Sequence, residues 1–249
     1  MMMQSLHIMA YLASSIAISR PEDISLDGIL SYEVLRRHFG ADFYSLPDPK
    51  EVLHFARLPL AMRGKPSPFV ERLATGDVWY RHGQADDSFW YWACSSAQIA
   101  VVGRDTQYWN KRFDAQPGLS DHIDFGGRVE KVLIEQGRFK AYHMPVLTLI
   151  AEKIEWYAVG DGEQIADMLR PVMAIGRKRS QGQGAIVRWD VEPMQEDYSE
   201  WRDGLLVRPI PGPLASGMTP LDMQYIAFRA PQWHSSNQAL CVTKAVKVG

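Results

Sequence analysis

Two strand–helix–strand patterns, one towards each end of the chain, constrain this fold more than any other feature of the sequence. In the first, apolar side chains fall at even positions, Leu6, Ile8, Ala10, Leu12, Ile16 and Ile18, with Ser14 the exception. That two-residue period predicts a core β-strand. After a turn at Arg20-Pro21-Glu22-Asp23, Ser25 is placed to cap a helix running to about Phe39, with Asp27 in its first turn and Gly40 just past its end. The second pattern starts with a long strand-like run from Pro145 to Val159. Asp161-Gly162 then caps a short helix carrying Ile165, Met168 and Leu169 on one face, and Pro171 ends or kinks it. In the strand Ala185 to Val191, the period predicts that Val187, Trp189 and Val191 point one way and Ile186, Arg188 and Asp190 the other. Two such units predict an α+β chain of ferredoxin-like (RRM-like) form, with helices packed on one face of an antiparallel sheet. Doubly wound α/β is disfavoured, because too few helices of sufficient length separate the strands.

Between the two units, residues 41–76 are rich in Pro and loop residues. Val78 to Tyr80 and Ser88 to Val102 read as strands separated by the polar turn His82 to Asp87. Asp114 to Gly127 is a glycine-containing loop entering a candidate hairpin, Arg128 to Glu135, with a Gln136-Gly137 turn. Residues 200–249 are punctuated by Pro and Gly, with one convincing strand around Leu205 to Arg208. The expected organisation is one domain over residues 1–192, a projecting hairpin inserted at about 103–144, and an extension, 193–249, packed on the same domain.

The chemistry concentrates between the last helix and the last strand of that domain. No Asp or Glu occurs from Leu169 to Trp189, while Arg170, Arg177, Lys178, Arg179 and Arg188 all fall there, in a chain of net charge −2. Gly176, Gly182 and Gly184 permit positive φ and close approach of a ligand. Ser180, Gln181 and Gln183 add uncharged donors. The segment reads either as a solvated basic turn or as a local phosphate-binding surface. It lacks the G-x-x-x-x-G-K-[ST] spacing of a P-loop and the G-x-G-x-x-G order of a dinucleotide site. It leads into a strand, so no helix N-terminus waits there for a pyrophosphate. A longer phosphodiester backbone fits it better than a mononucleotide.

Other residues limit the alternatives. Cys94 and Cys241 make neither a disulfide framework nor a zinc site and are expected to be free buried thiols. No apolar run reaches the length of a membrane span, and no Lys or Arg precedes Leu6 to Ile18, so a cytoplasmic protein without membrane contact is expected. The eight tryptophans are spread along the chain; most are expected in the core, and one or two could be base-stacking platforms. Among the histidines, His54, near Arg57, Arg63 and Lys65, and His143, beside Tyr142, are the candidates for general acid–base work. None forms a triad or a metal-binding pair. Trp233-His234 with Cys241 supplies too few ligands for zinc. Neither metal nor cofactor is expected.

Residues 173–189 resemble the glycine-rich loop of the RAMP superfamily of CRISPR-associated proteins. The pattern is Ile175-Gly176, the basic run Arg177-Lys178-Arg179, Ser180, then Gly182-Gln183-Gly184 entering a strand. The helix start Leu26-Asp27-Gly28-Ile29-Leu30 is similar to that of the same proteins, and Leu58-Pro59-Leu60 and the aromatic run Phe89 to Ser96 follow. The arrangement looks most like the small subunit of type IV CRISPR complexes that holds the 5′ handle of the guide RNA. The resemblance covers most of residues 4–192. It implies a ferredoxin-like RAMP domain, a hairpin thumb contacting the backbone subunit, and a glycine loop lying on guide-RNA phosphates. Residues 176–184 (Gly176, Arg177, Lys178, Arg179, Ser180, Gln181, Gly182, Gln183, Gly184) and Arg188 are then the RNA-binding candidates. Arg128, Lys131, Arg138 and Lys140 would serve RNA or a neighbouring subunit, although alternating acids leave a mixed solvated surface equally open. The implied partners are guide RNA, the other effector subunits and, through the complex, target nucleic acid. The function expected is binding without catalysis; the alternative is a metal-independent endoribonuclease that processes precursor guide RNA.

Overall fold

A computed structural model describes residues 2–18, 20, 24–45, 52–82, 88–111 and 140–247. Strand β1 (Gln4–Leu12) leads to helix α1 (Leu26–Phe39). Ser25 caps α1 as its sequence predicts: its backbone is extended and its Oγ accepts the Gly28 N–H at 3.2 Å. Gly40 closes the other end at φ 54°, donating its N–H to the Arg36 carbonyl. Then come β2 (Val52–Ala56), β3 (Met62–Gly64), the short α2 (Pro68–Glu71), β4 (Val78–His82), β5 (Trp90–Trp92) and β6 (Gln98–Ile99). The arms of a hairpin follow, β7 (Gly103–Lys111) and β8 (Tyr142–Ile150), and after them β9 (Lys153–Gly160), α3 (Gly162–Leu169) and β10 (Ile186–Pro193).

The main sheet has the order β10-β1-β9-β6, and every neighbouring pair is antiparallel. Leu6, Ile8 and Ala10 of β1 and Ile154, Trp156 and Ala158 of β9 face the same core as Leu26, Leu30 and Val34 of α1 and Ile165 and Leu169 of α3. The even-numbered alternation of the N-terminus therefore does what it predicts as far as Ala10. Past Leu12 the chain turns, and Ile16 and Ala17 make isolated bridges to Leu149 and Arg177 instead.

Several elements depart from the sequence reading. The run Pro145 to Val159 is two strands, because the Ile16–Leu149 bridge draws β8 out of the main sheet before β9 pairs with β1. Glu152 consequently sits between strands rather than on one. Ser88 to Val102 contains only the short β5 and β6. Residues 41–76 are not all loop: β2 pairs with β4 over Val52–Ala56, and β3 pairs with β5. In β10 the predicted alternation holds from Arg188 on, but Ile186 is buried and Val187 is 65 % exposed. A register irregularity opposite Tyr11 and Leu12 explains that reversal. The candidate hairpin at Arg128 to Glu135 lies outside the described residues.

The C-terminal region forms a second sheet of five strands, β11 (Trp201–Arg202), β12 (Leu205–Leu206), β13 (Ile210–Pro211), β14 (Met218–Ala227) and β15 (Gln238–Lys247). Its own core gathers Leu206, Ile210, Phe228, Cys241, Val242 and Ala245 around Tyr91. Two buried arginines and one buried carboxylate join it to the first unit. Arg208 donates to the carbonyls of Cys94 and Phe228, each at 2.7 Å, and to that of Trp92. Arg229 reaches the Ser88 carbonyl at 3.1 Å, and Asp27 of α1 accepts the Ala230 N–H at 2.8 Å. Buried charges are retained where such hydrogen bonds satisfy them.

Candidate nucleic-acid interface

The glycine-basic loop is folded by its glycines and fastened to the chain segment after β1. Gly176 and Gly184 adopt φ of 85° and 65°. A Cβ at Gly184 would stand 1.9 Å from the Ile175 carbonyl oxygen, and one at Gly176 2.8 Å from Ile16 Cγ1, so only glycine fits. Lys178 takes the left-handed region without being glycine (φ 59°), at a cost of about 1–2 kcal/mol. Backbone bonds offset it: Arg177 N–H to the Ala17 carbonyl at 2.9 Å, Gly184 N–H to the Ser15 carbonyl at 2.8 Å, and Ile175 N–H to the Gly184 carbonyl at 2.9 Å. Ser14 Oγ bridges the same seam, donating to the Gly182 carbonyl at 2.7 Å and accepting the Ala185 N–H at 3.0 Å.

This backbone sorts the candidate side chains. Arg177, Arg179, Ser180 and Gln181 are exposed, and Lys178 is half-buried, its ammonium 3.0 Å from the centre of the Trp109 ring of β7. The Arg179 guanidinium lies 5.5 Å from the Tyr32 ring of α1. Gln183 turns inward. It is 7 % exposed, and its amide is engaged by Ser15 Oγ at 3.0 Å and Gln107 at 2.5 Å. Arg188 lies elsewhere, on the sheet face away from α1 and α3, stacked 3.7 Å from the Tyr11 ring and 3.2 Å from Asp190. Lys140 is exposed; Arg128, Lys131 and Arg138 fall outside the described residues.

The exposed loop cations open onto a groove of about 1550 Å³ between α1, the loop and the turn joining β14 to β15. Among the described residues, five cations line it, Arg20, Arg36, Arg177, Lys178 and Arg179, against one carboxylate, Glu33. That carboxylate is ionised and paired with Arg36 and Arg37, so it cancels part of the positive charge. Burial pushes its pKa up, but hydrogen bonds from Arg36 at 2.9 Å and Arg37 at 2.8 Å outweigh burial and hold it below the ordinary range. A concave surface with this imbalance focuses a positive potential and attracts polyanions. The groove also carries exposed rings that local sequence patterns do not mark: Tyr44 (80 %), Tyr225 (68 %) and Trp233 (54 %). They come from three distant segments, and only the packing of the C-terminal sheet against α1 brings them together.

The other candidate chemistry is dispersed. Among the described residues the groove lining includes no histidine. His143 stacks on Tyr108 out on the β7–β8 hairpin, and His54 lies on β2. His7 pairs with Glu155 at 2.8 Å on the opposite sheet face. His234 Nδ1 accepts the Ser236 N–H at 3.2 Å, while Cys241 is fully buried in the second core. Among the described residues, no three His, Cys, Asp or Glu side chains are placed to hold a metal ion, and no helix is long and apolar enough to cross a membrane. Both cysteines are free and buried, their thiols pushed up to about 12 chiefly by burial.

A family model described as CRISPR type IV associated protein Csf3 matches residues 69–244, more than two thirds of the chain, including the glycine loop and most of the C-terminal sheet. No curated protein matches the chain.

Proposed function

The chain belongs to the Csf3 family of type IV CRISPR-associated proteins, and from that premise we propose that it is the subunit that holds the 5′ repeat-derived handle of the guide RNA and caps the backbone filament. The observation that carries this reading is the groove in which Arg177, Lys178 and Arg179 converge with Arg20, while Glu33, its one carboxylate among the described residues, is paired with Arg36 and Arg37. A phosphodiester chain presents regularly spaced charges that can meet several such cations at once. The sheet order, in which β1 is flanked by β10 and by β9, the strand preceding α3, supports a ferredoxin-like RAMP domain. The β7–β8 hairpin is then the thumb that meets the backbone subunit. Among its described residues the groove lining includes no histidine, which supports the reading that the subunit binds RNA without cutting it.

The test is to purify the chain from cells that co-express its neighbouring genes and a repeat-containing RNA, and to sequence the RNA that copurifies. Small RNAs sharing one defined 5′ end are expected, and they should be lost from the variant R177Q/K178Q/R179Q. With purified components, the same variant should weaken RNA binding and flatten its dependence on salt by roughly one ion per lost phosphate contact. RNA yield and salt slope equal to those of the unsubstituted chain would sink the proposal.

A further inference from the structure

Resting on the reading that the groove takes a single-stranded RNA backbone, we infer that Trp233 and Tyr225 form a base-stacking wall, so that phosphates lie on the glycine loop while unpaired bases lie on the C-terminal sheet. Both rings line the same groove as the loop cations, and both are more than half exposed. Large rings left in solvent are ordinary when scattered; here they share one concavity with five cations.

The segment that carries Trp233 is held rigidly by groups far more buried than the ring itself. Arg229, 3 % exposed, donates to Asn237 Oδ1 at 2.7 Å, and Asn237, 2 % exposed, donates to the Pro231 carbonyl at 3.0 Å. Gln238 Nε2 donates to the Gln232 carbonyl at 3.0 Å, and the Gln232 side chain is hydrogen-bonded to the cap residue Ser25. A tryptophan presented from a turn held in this way loses less freedom when a base settles on it, which lowers the ordering cost of stacking. Tyr225 is likewise fixed, by its place in the β14–β15 ladder opposite Leu240.

The chemistry of the groove selects the ligand class. An apolar protein segment would use the rings but not the cations, whereas an acidic segment would use the cations but not the rings. A single-stranded nucleic acid offers phosphates and π-faces at every residue, which is the combination that single-strand grooves use. Duplex RNA, its bases already stacked, gains nothing from the wall.

The experiment measures binding of the full chain, at low salt, to a fluorescein-labelled oligoadenylate and to an abasic ribose-phosphate oligomer of equal length. W233A and Y225A are each expected to weaken oligoadenylate binding about five- to thirtyfold, the span that ~1–2 kcal/mol of stacking converts to. Neither should change abasic binding or the salt slope, and W233F should restore most of the loss. R177Q/K178Q/R179Q should weaken both oligomers. If the aromatic variants bind both oligomers like the parent while the cation variant weakens both, the wall is refuted and the backbone reading stands. Equal losses on both oligomers from the aromatic variants also refute the wall. If the cation variant changes neither affinity nor salt slope, or the parent binds neither oligomer, the backbone reading itself falls, and the wall with it.

Discussion

Gly182 and Gly184 stand two residues apart with the same hand of backbone, φ 82° and 65°, yet they are not equally replaceable. At Gly182 a Cβ would meet nothing within 4 Å, so alanine there pays only the left-handed conformation, about 1 kcal/mol. At Gly184 the same atom would collide with the Ile175 carbonyl, and the loop must open to admit it. G184A is therefore expected to destabilise by about 3 kcal/mol or more, and G182A by about a third of that, in denaturant unfolding. Equal costs would contradict the geometry. The spacing of these glycines was legible in the sequence, and so was the exposure of Arg177 and Arg179. Gln183 was not: its polar neighbours suggest an outward donor, whereas Ser15 and Gln107, distant in the chain, turn it inward. The groove's aromatic residues were equally hidden, because Tyr44, Tyr225 and Trp233 have no local spacing in common.

At the scale of elements, caps and periods identified the two long helices, since Ser25 and Asp161 act locally. Strands defined by distant partners escaped. β2 is written in five residues whose pairing with β4 nothing nearby announces, and β14 carries Pro220 and exposed Leu221, Met223 and Tyr225 on a surface with no clear apolar face. The tie between α1 and α3 invites a pH experiment. Arg37 bonds Glu33 at 2.8 Å on its own helix and Asp167 of α3 at 2.8 Å. Glu33 is buried, with its folded pKa below the ordinary carboxylate value, so the stability it contributes is complete above about pH 4.5 and is lost as pH falls through the folded value. E33Q should cost ~1 kcal/mol near pH 7, modest because both guanidiniums are 41 % exposed and screened. Its deficit should shrink towards zero once the pH has fallen below the folded value, where the parent is protonated too. Denaturation midpoints at the two pH values would decide it; an identical deficit at both would exclude an electrostatic origin.

For the molecule as a whole, the two sheets are coupled through a handful of buried polar groups. Arg208, 5 % exposed, spans the seam with its fork of donors and lies over the Tyr91 ring at 4.3 Å. R208M should destabilise by about 3 kcal/mol, because it leaves the Cys94 and Phe228 carbonyls buried without a donor. R208K should rescue little, since an ammonium cannot span carbonyls on both units as the planar fork does. Full recovery by lysine in thermal unfolding would show that charge, not geometry, is what the seam requires. The strand β14 has a further consequence. Among the described residues it pairs only with β15, so its other edge presents unpaired backbone to any passing chain. Pro220 removes one donor from that edge, and the register shifts on either side of Asp222 break its flatness. What stays regular, Met223 to Ala227, reaches into the groove at Tyr225, Ile226 and Ala227. The lining of the groove and the edge open to self-association thus share the same few residues, and anything that filled the groove would also shield that edge.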